Sequence, residues 1–147
     1  MLRAARVRDL DALLALEREC FRTDRLTRVD LANALRARRA RLLVVATRAG
    51  LAAYLLLQLP DARGIARIDS LGVARAARGA GHGPALVARA EHHARRAGAT
   101  RLRLEVRASN RAARRLYASR GYRSVAVLPR YYADGGPGLR LERRLER

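Results

Sequence analysis

The sequence contains no lysine and no tryptophan, and has one cysteine (Cys20), one methionine and one phenylalanine. A lone cysteine excludes an internal disulfide and any zinc site built on several thiolates; it suits a reducing compartment, so a cytoplasmic protein is expected. Aromatics are 4% of the residues, too few for a platform on which single-stranded bases stack. No apolar stretch is long enough to cross a bilayer. The N-terminus opens with Arg3, Arg6, Arg8 and Asp9 instead of a long apolar core, so neither a membrane span nor a secretory leader is expected. Acids are scarce as well, with 13 Asp plus Glu against 32 basic residues, all arginine, for a formal net charge of +19. That balance attracts polyanions, which makes nucleic-acid contact one reading of the surface. An Arg- and Ala-rich chain without lysine is also what GC-rich coding yields, so charge alone assigns no partner.

What is present is a chain of 147 residues, 50% hydrophobic, the size of one domain with a radius of gyration of about 15 Å. Residues 1–147 are read as a single domain, a monomer or weak dimer, able to bury roughly 70% of its unfolded surface without a metal or disulfide. Residues 2 to 7 predict a short strand. Asp9 stands as a helix N-cap before Leu10, Leu13, Leu14 and Glu17, the spacing of one buried helical stripe over residues 9 to 20. Thr27 and Asp30 form a capping box for a second helix carrying Leu31, Ala34 and Leu35. Apolar runs at 42–46, 51–59 and 65–74, separated by Gly50 and by Pro60 with Gly64, predict an antiparallel meander.

The third of these runs changes parity. Ala66 and Ile68 are even-numbered apolar positions, whereas Leu71 and Val73 are odd, so one extra residue lies near Asp69 to Gly72. That is the mark of a β-bulge. A Gly-rich segment, Arg78 to Gly83, then leads into a helix carrying Leu86, Ala90, Ala94 and Ala97 and stopped by Gly98. Residues 101–107 alternate strictly, Leu102, Leu104 and Val106 against Arg101, Arg103, Glu105 and Arg107. Ser109 caps a further helix that ends at Gly121, and two more strands, 122–128 and 138–145, flank a loop with Tyr131 and Tyr132.

Backbone N–H groups at a helix N-terminus make the Gly-rich loop a candidate phosphate cradle, and a plain tight turn is the other reading of the same glycines. The loop lacks the Lys-Ser/Thr ending of a P-loop. The dinucleotide fingerprint fails too, because its third glycine falls on Pro84 when counted from Gly79 and on Leu86 when counted from Gly81.

Arg78 to Gly83 resembles the R-x-x-G-x-G/A loop of the GNAT superfamily of N-acetyltransferases, and residues 104–122, LEVRASNRAARRLYASRGY, resemble its downstream motif in the RimI-like branch. The resemblance implies an α/β fold: a mixed, mostly antiparallel sheet of about seven strands, with a bulge and a V-shaped splay, flanked by about four helices. It implies acetyl-CoA as acyl donor, with the backbone of Leu71, Gly72 and Val73 along the pantetheine arm. The amides of Arg78, Gly79, Ala80, Gly81, His82 and Gly83 would hold the pyrophosphate, Asn110 would hydrogen-bond the pantetheine region, and Tyr117 would lie beside the sulfur. His82 and Pro84 depart from the pattern of that loop. The acceptor implied is the N-terminal amine of a protein, a ribosomal protein in that branch, with Tyr131 and Tyr132 on the acceptor side. The segment 135–140, GGPGLR, departs from the branch.

Acetyl transfer from a thioester needs a deprotonated amine and a protonated leaving thiol. An α-amino group titrates near about 7.7 to 8.0, so a base is required at neutral pH. Glu105, on the polar face of its strand, is the candidate base, and a purely structural reading instead pairs it with Arg103 or Arg107. Tyr117 is the acid that the resemblance implies, although it also lies on the apolar stripe with Ala113 and Leu116. A backbone N–H near Val73 would hold the oxyanion. The expected reaction is direct transfer in a ternary complex, with Cys20 as packing. No metal is expected, since the adjacent His92 and His93 point to different helix faces. Two other readings stand beside N-terminal protein acetylation: acetylation of a small amine or lysine, and a catalytically weak module binding CoA or the ribosome.

Overall fold

The computed structural model describes residues 1–146. A first strand, β1 (Leu2–Ala4), is shorter than the run 2–7 predicts, because residues 7–9 turn into a single 3-10 turn. The apolar runs follow as β2 (Ala40–Thr47), β3 (Gly50–Gln58) and β4 (Ile65–Val73), paired antiparallel as expected. The remaining strands are β5 (Arg101–Arg107), β6 (Arg123–Leu128) and β7 (Gly138–Arg144), giving one sheet in the order β1-β2-β3-β4-β5-β7-β6. Four α-helices flank it among the described residues: α1 (Leu10–Cys20), α2 (Arg28–Arg36), α3 (His82–Arg96) and α4 (Arg111–Ser119).

Strand alternation splits the core in two. Leu42, Val44, Tyr54 and Leu56 face α1 and α2, while Leu43, Leu55, Leu57, Leu102 and Leu104 face α3 and α4. Ala66 and Ile68 lie on the α3 face, and so do Leu71 and Val73. Both parities on one face require an inserted residue. The register supplies it: Leu57 pairs with Ile68 and Leu56 with Ser70, leaving Asp69 without a partner on β3.

Two expected caps are corrected. Asp9 occupies the position before α1, but its carboxylate makes no bond to that helix; it accepts from the Arg6 amide at 2.8 Å and from the Arg3 guanidinium at 2.7 and 3.0 Å. The preceding turn competes for it and wins. Asn110, not Ser109, caps α4, its Oδ1 accepting from the Ala113 amide at 3.1 Å. The Thr27–Asp30 capping box forms as read.

One buried charge joins three elements. Glu91 of α3, 1% exposed, accepts from Arg120 at the end of α4 (2.5 Å), from Arg143 of β7 (2.9 Å) and from the Tyr122 hydroxyl (2.9 Å). Its position among Leu86, Val87, Ala90 and Ala94 puts it on an apolar face, where a carboxylate persists only when fully partnered. No helix among the described residues is long and apolar enough to cross a membrane.

Candidate active site

The bulge opens the sheet. β4 and β5 are parallel and pair only from Ile65 with Arg101 to Ile68 with Leu104, after which the two strands separate. The Ala74 amide bonds to Ala52 on β3, so alternation directs the peptide groups of Leu71 and Val73 toward the opening. The Val73 carbonyl is occupied from within the chain, by the Cys20 thiol at 3.5 Å and Arg78 Nε at 3.3 Å. Its N–H and the peptide groups of Leu71 are left to serve a strand-like ligand. Gly72 lets β4 lie this close to α1, since a Cβ there would sit 2.5 Å from the Tyr54 ring and 3.0 Å from the Cys20 sulfur.

At the end of β4 the chain forms the expected cradle. Gly79 and Gly81 adopt φ of +84° and +86°, which favours glycine, and a Cβ at either would meet nothing within 4 Å. The amides of residues 79–83 find no acceptor among the described residues, and residues 79–81 are exposed just ahead of α3. Pro84 costs nothing here because its position in the first turn has no internal partner to lose. Amides, helix dipole and open space suit a pyrophosphate, and the Asn110 side-chain amide, its oxygen already used as a cap, keeps its N–H donors for a pantetheine carbonyl.

A cavity of about 1010 Å³ extends from the splay beneath two loops. It brings together Leu71, Glu105, Asn110, Tyr117, Tyr131 and Tyr132; Gly72, Val73 and residues 78–83 are not part of its wall and continue the groove along β4 to the cradle. Glu105 is 10% exposed, and its partners are neither of those expected. Arg67 of β4 reaches both its oxygens at 2.7 and 2.9 Å, and Arg140 of β7 reaches Oε2 at 2.9 Å. Arg103 is taken by Glu142, and Arg107 by the loops. With this many arginines, sequence spacing does not say which one meets a given acid.

Tyr117 is 2% exposed, its ring edge-on to Tyr122 at 5.2 Å. Burial, with the Glu91 charge behind it, pushes its phenol well above the ordinary range. It therefore stays protonated at neutral pH, which is the form an acid needs. Arg107, at the end of β5, ties the roof together: it donates to Thr23 Oγ1 (2.6 Å) in the α1–α2 loop and to Asp134 (3.0 Å) in the β6–β7 loop, and lies 4.3 Å over the Tyr132 ring. The Ala133 amide adds a bond to Asp24 at 3.2 Å. Burial pushes the Tyr132 phenol up to about 12, despite Arg107 beside it. Below, the buried Glu17 accepts from the Leu26 amide (2.8 Å), from Ser70 (3.2 Å) and from the Tyr54 hydroxyl, fixing the α1–α2 loop to β4. Sequence reasoning missed Arg67, Arg140 and Asp69 as site residues; only the unbroken polar parity of Arg67 and Glu105 hinted at them.

A splayed parallel pair, a glycine-rich cradle, and a carboxylate and a neutral phenol lining one cavity are features that suit a group-transfer enzyme. The chain belongs to the acetyltransferase (GNAT) family, whose model matches residues 10–122, and its acyl donor is acetyl-CoA. It is 37% identical over 130 residues to an uncharacterized N-acetyltransferase of Methanocaldococcus jannaschii, covering 87% of this chain and 81% of that protein. Among solved structures it superposes on the ribosomal-protein-S18-alanine N-acetyltransferase of Escherichia coli with a TM-score of 0.87 at 23% identity, covering 100% of this chain and 94% of the other. It superposes on nourseothricin acetyltransferase with a TM-score of 0.82 at 22% identity, covering 99% and 98%. These two likenesses describe the fold.

Proposed function

We propose that this acetyltransferase modifies the N-terminal α-amino group of a protein, in the manner of the RimI-like branch. The observation that carries the reading is the roofed cavity: two loops stapled by Arg107 cover an acceptor space that ends at Glu105 and Tyr117, with Tyr131 and Tyr132 on its wall. Two loops linked through Arg107 and Asp24 in this way suit an extended peptide end entering from one side.

In this reading the cradle at residues 79–83 and the free peptide groups of β4 hold the donor, whose thioester supplies the acetyl group. Glu105, fixed by two guanidiniums, keeps one acceptor site on Oε1 for the attacking nitrogen or a water between them. Tyr117 donates its phenolic proton to the departing sulfur. A Tyr117→Phe variant is expected to lose about a hundredfold in turnover with acetyl-CoA binding unchanged, measured by steady-state kinetics and calorimetric titration; equal turnover would remove the acid role.

The deciding experiment presents acetyl-CoA with peptides beginning with Ala, Ser, Met or Gly, peptides with internal lysine, and small amines, and reads mass shifts. Acetylation confined to peptide N-termini is expected. Transfer only to lysine or small amines would overturn the N-terminal reading.

A further inference from the structure

We propose that Asp69 is a second proton acceptor of the transfer reaction, taking the surplus proton of the incoming ammonium at Oδ1. The proposal rests on the acetyl-transfer reading above and adds a residue to it. A protonated amine carries more hydrogen than the amide it becomes, so two protons leave the nitrogen in each turnover. One ends on the sulfur and the other in solvent. Glu105 is poorly placed to take both, since Oε2 already accepts from Arg67 and Arg140 and Oε1 from Arg67, which leaves it a single free acceptor site.

Asp69 is differently held. It is the bulged residue, unpaired on β3, one position past the last β4–β5 pair, and it lines the same cavity as Glu105 with its side chain 29% exposed. Oδ2 accepts from Gln58 at 2.8 Å, while Oδ1 has only the Arg67 Nε at 3.9 Å, beyond hydrogen-bond reach. Asp69 follows Ile68, which faces α3, so alternation puts it on the opposite face of the sheet with Arg67 and Glu105, and the bulge leaves it unpaired there.

The charged groups around it are Arg67 on its own strand, Glu105 on β5 with Arg140 of β7 behind it, and Glu17 of α1 through Ser70. Burial pushes the Asp69 carboxyl up, Gln58 and Arg67 oppose this, and the Glu105 charge reinforces it. A carboxylate moved in that direction accepts a proton from an ammonium more readily.

The steps balance. The ammonium gives one proton to Asp69 Oδ1, and the freed lone pair forms the C–N bond to the acetyl carbon as the C–S bond breaks. The second nitrogen proton passes to Glu105, Tyr117 protonates the sulfur and is restored by the proton on Glu105, and Asp69 releases its proton through the open cavity.

The test is kcat/KM against pH for the wild type and Asp69→Asn, which keeps an oxygen for Gln58. Two acceptors are used: an Ala-initial peptide, and the same peptide beginning with 3,3,3-trifluoroalanine, whose amine is neutral across the range. With the ordinary peptide the variant must wait for free amine, so it is expected to fall roughly twenty- to thirtyfold at about pH 6.5 and to recover to within about twofold at about pH 9.5. With the fluorinated peptide it should match the wild type throughout. A loss equal at every pH and for both peptides would mark a structural role and overturn the proposal, as would an unchanged profile. A wild type inactive toward every amine would overturn the N-acetyltransferase reading itself, and Asp69 with it.

Discussion

Glu105→Gln is expected to lower turnover by about a hundredfold or more at every pH, with acetyl-CoA bound as before. Glutamine keeps the shape of the side chain and an oxygen for Arg67, but it cannot take a proton from nitrogen. Arg67 and Arg140 retain 35% and 30% of their side-chain exposure, so losing their counter-ion leaves them solvated and the fold little affected. In the proposed arrangement the donor lies along β4 and the cradle at residues 79–83, which do not line the cavity that holds this carboxylate. Single-turnover acetyl transfer, run beside a binding titration, separates the two effects. Unchanged turnover would make Glu105 a structural ion-pair partner, as its two guanidinium contacts alone suggest, and would leave Asp69 as the base to consider.

The largest loss of stability is expected at Glu91, far from the chemistry. Glu91→Ala strips the counter-ion from Arg120 and Arg143 and leaves the Tyr122 hydroxyl without its acceptor. Removing one side of such a buried arrangement costs about 3 kcal/mol, toward the low end because both arginines keep over a quarter of their surface in water. For a chain of this length that lowers Tm by roughly 6 to 12 °C, measurable by calorimetry. The pH dependence carries the same signature. Burial pushes the Glu91 carboxyl up, but the hydrogen bonds from Arg120, Arg143 and Tyr122 outweigh it, so the folded value lies below the ordinary one. The stabilisation is therefore present above the ordinary glutamate range and is lost as pH falls through the folded value. The wild type should lose more Tm on acidification than Glu91→Ala; parallel curves would mean that the carboxylate contributes no linked stability.

Both outcomes bear on how residues far apart in the chain are brought together. α3 packs over the sheet with a charge at its centre, and the end of α4 is anchored to that charge; Tyr117 sits against Tyr122, whose hydroxyl donates to the same carboxylate. A loosened Glu91 site should therefore be checked for activity below its Tm, where Tyr117 keeps its ring contact only if Tyr122 stays in place.

Much of this molecule is written locally. The meander from 42 to 74, the strict alternation of 101–107 and the Thr27–Asp30 capping box depend on near neighbours, and each forms as its spacing dictates. Even the bulge is a local matter, because inserting one residue flips side-chain parity and leaves a mark between Ile68 and Leu71. Glycines at 79 and 81 likewise mark the left-handed turns of the cradle. The short range of these rules is also where they stop. Asp9 and Ser109 both have the chemistry of a helix cap, yet Arg6 and Arg3 claim the first and Asn110 displaces the second, a competition decided by backbone angles. The ion pairs lie beyond local rules altogether. Glu105 could choose among 32 basic residues, and it meets Arg67 and Arg140 because strand order sets β5 between β4 and β7. The same packing sets Asp69 at the opening of the splay with one oxygen free, and gathers two loops over it through Arg107. Periodicity along a chain fixes which face a residue takes; which other face it meets depends on how the sheet is assembled.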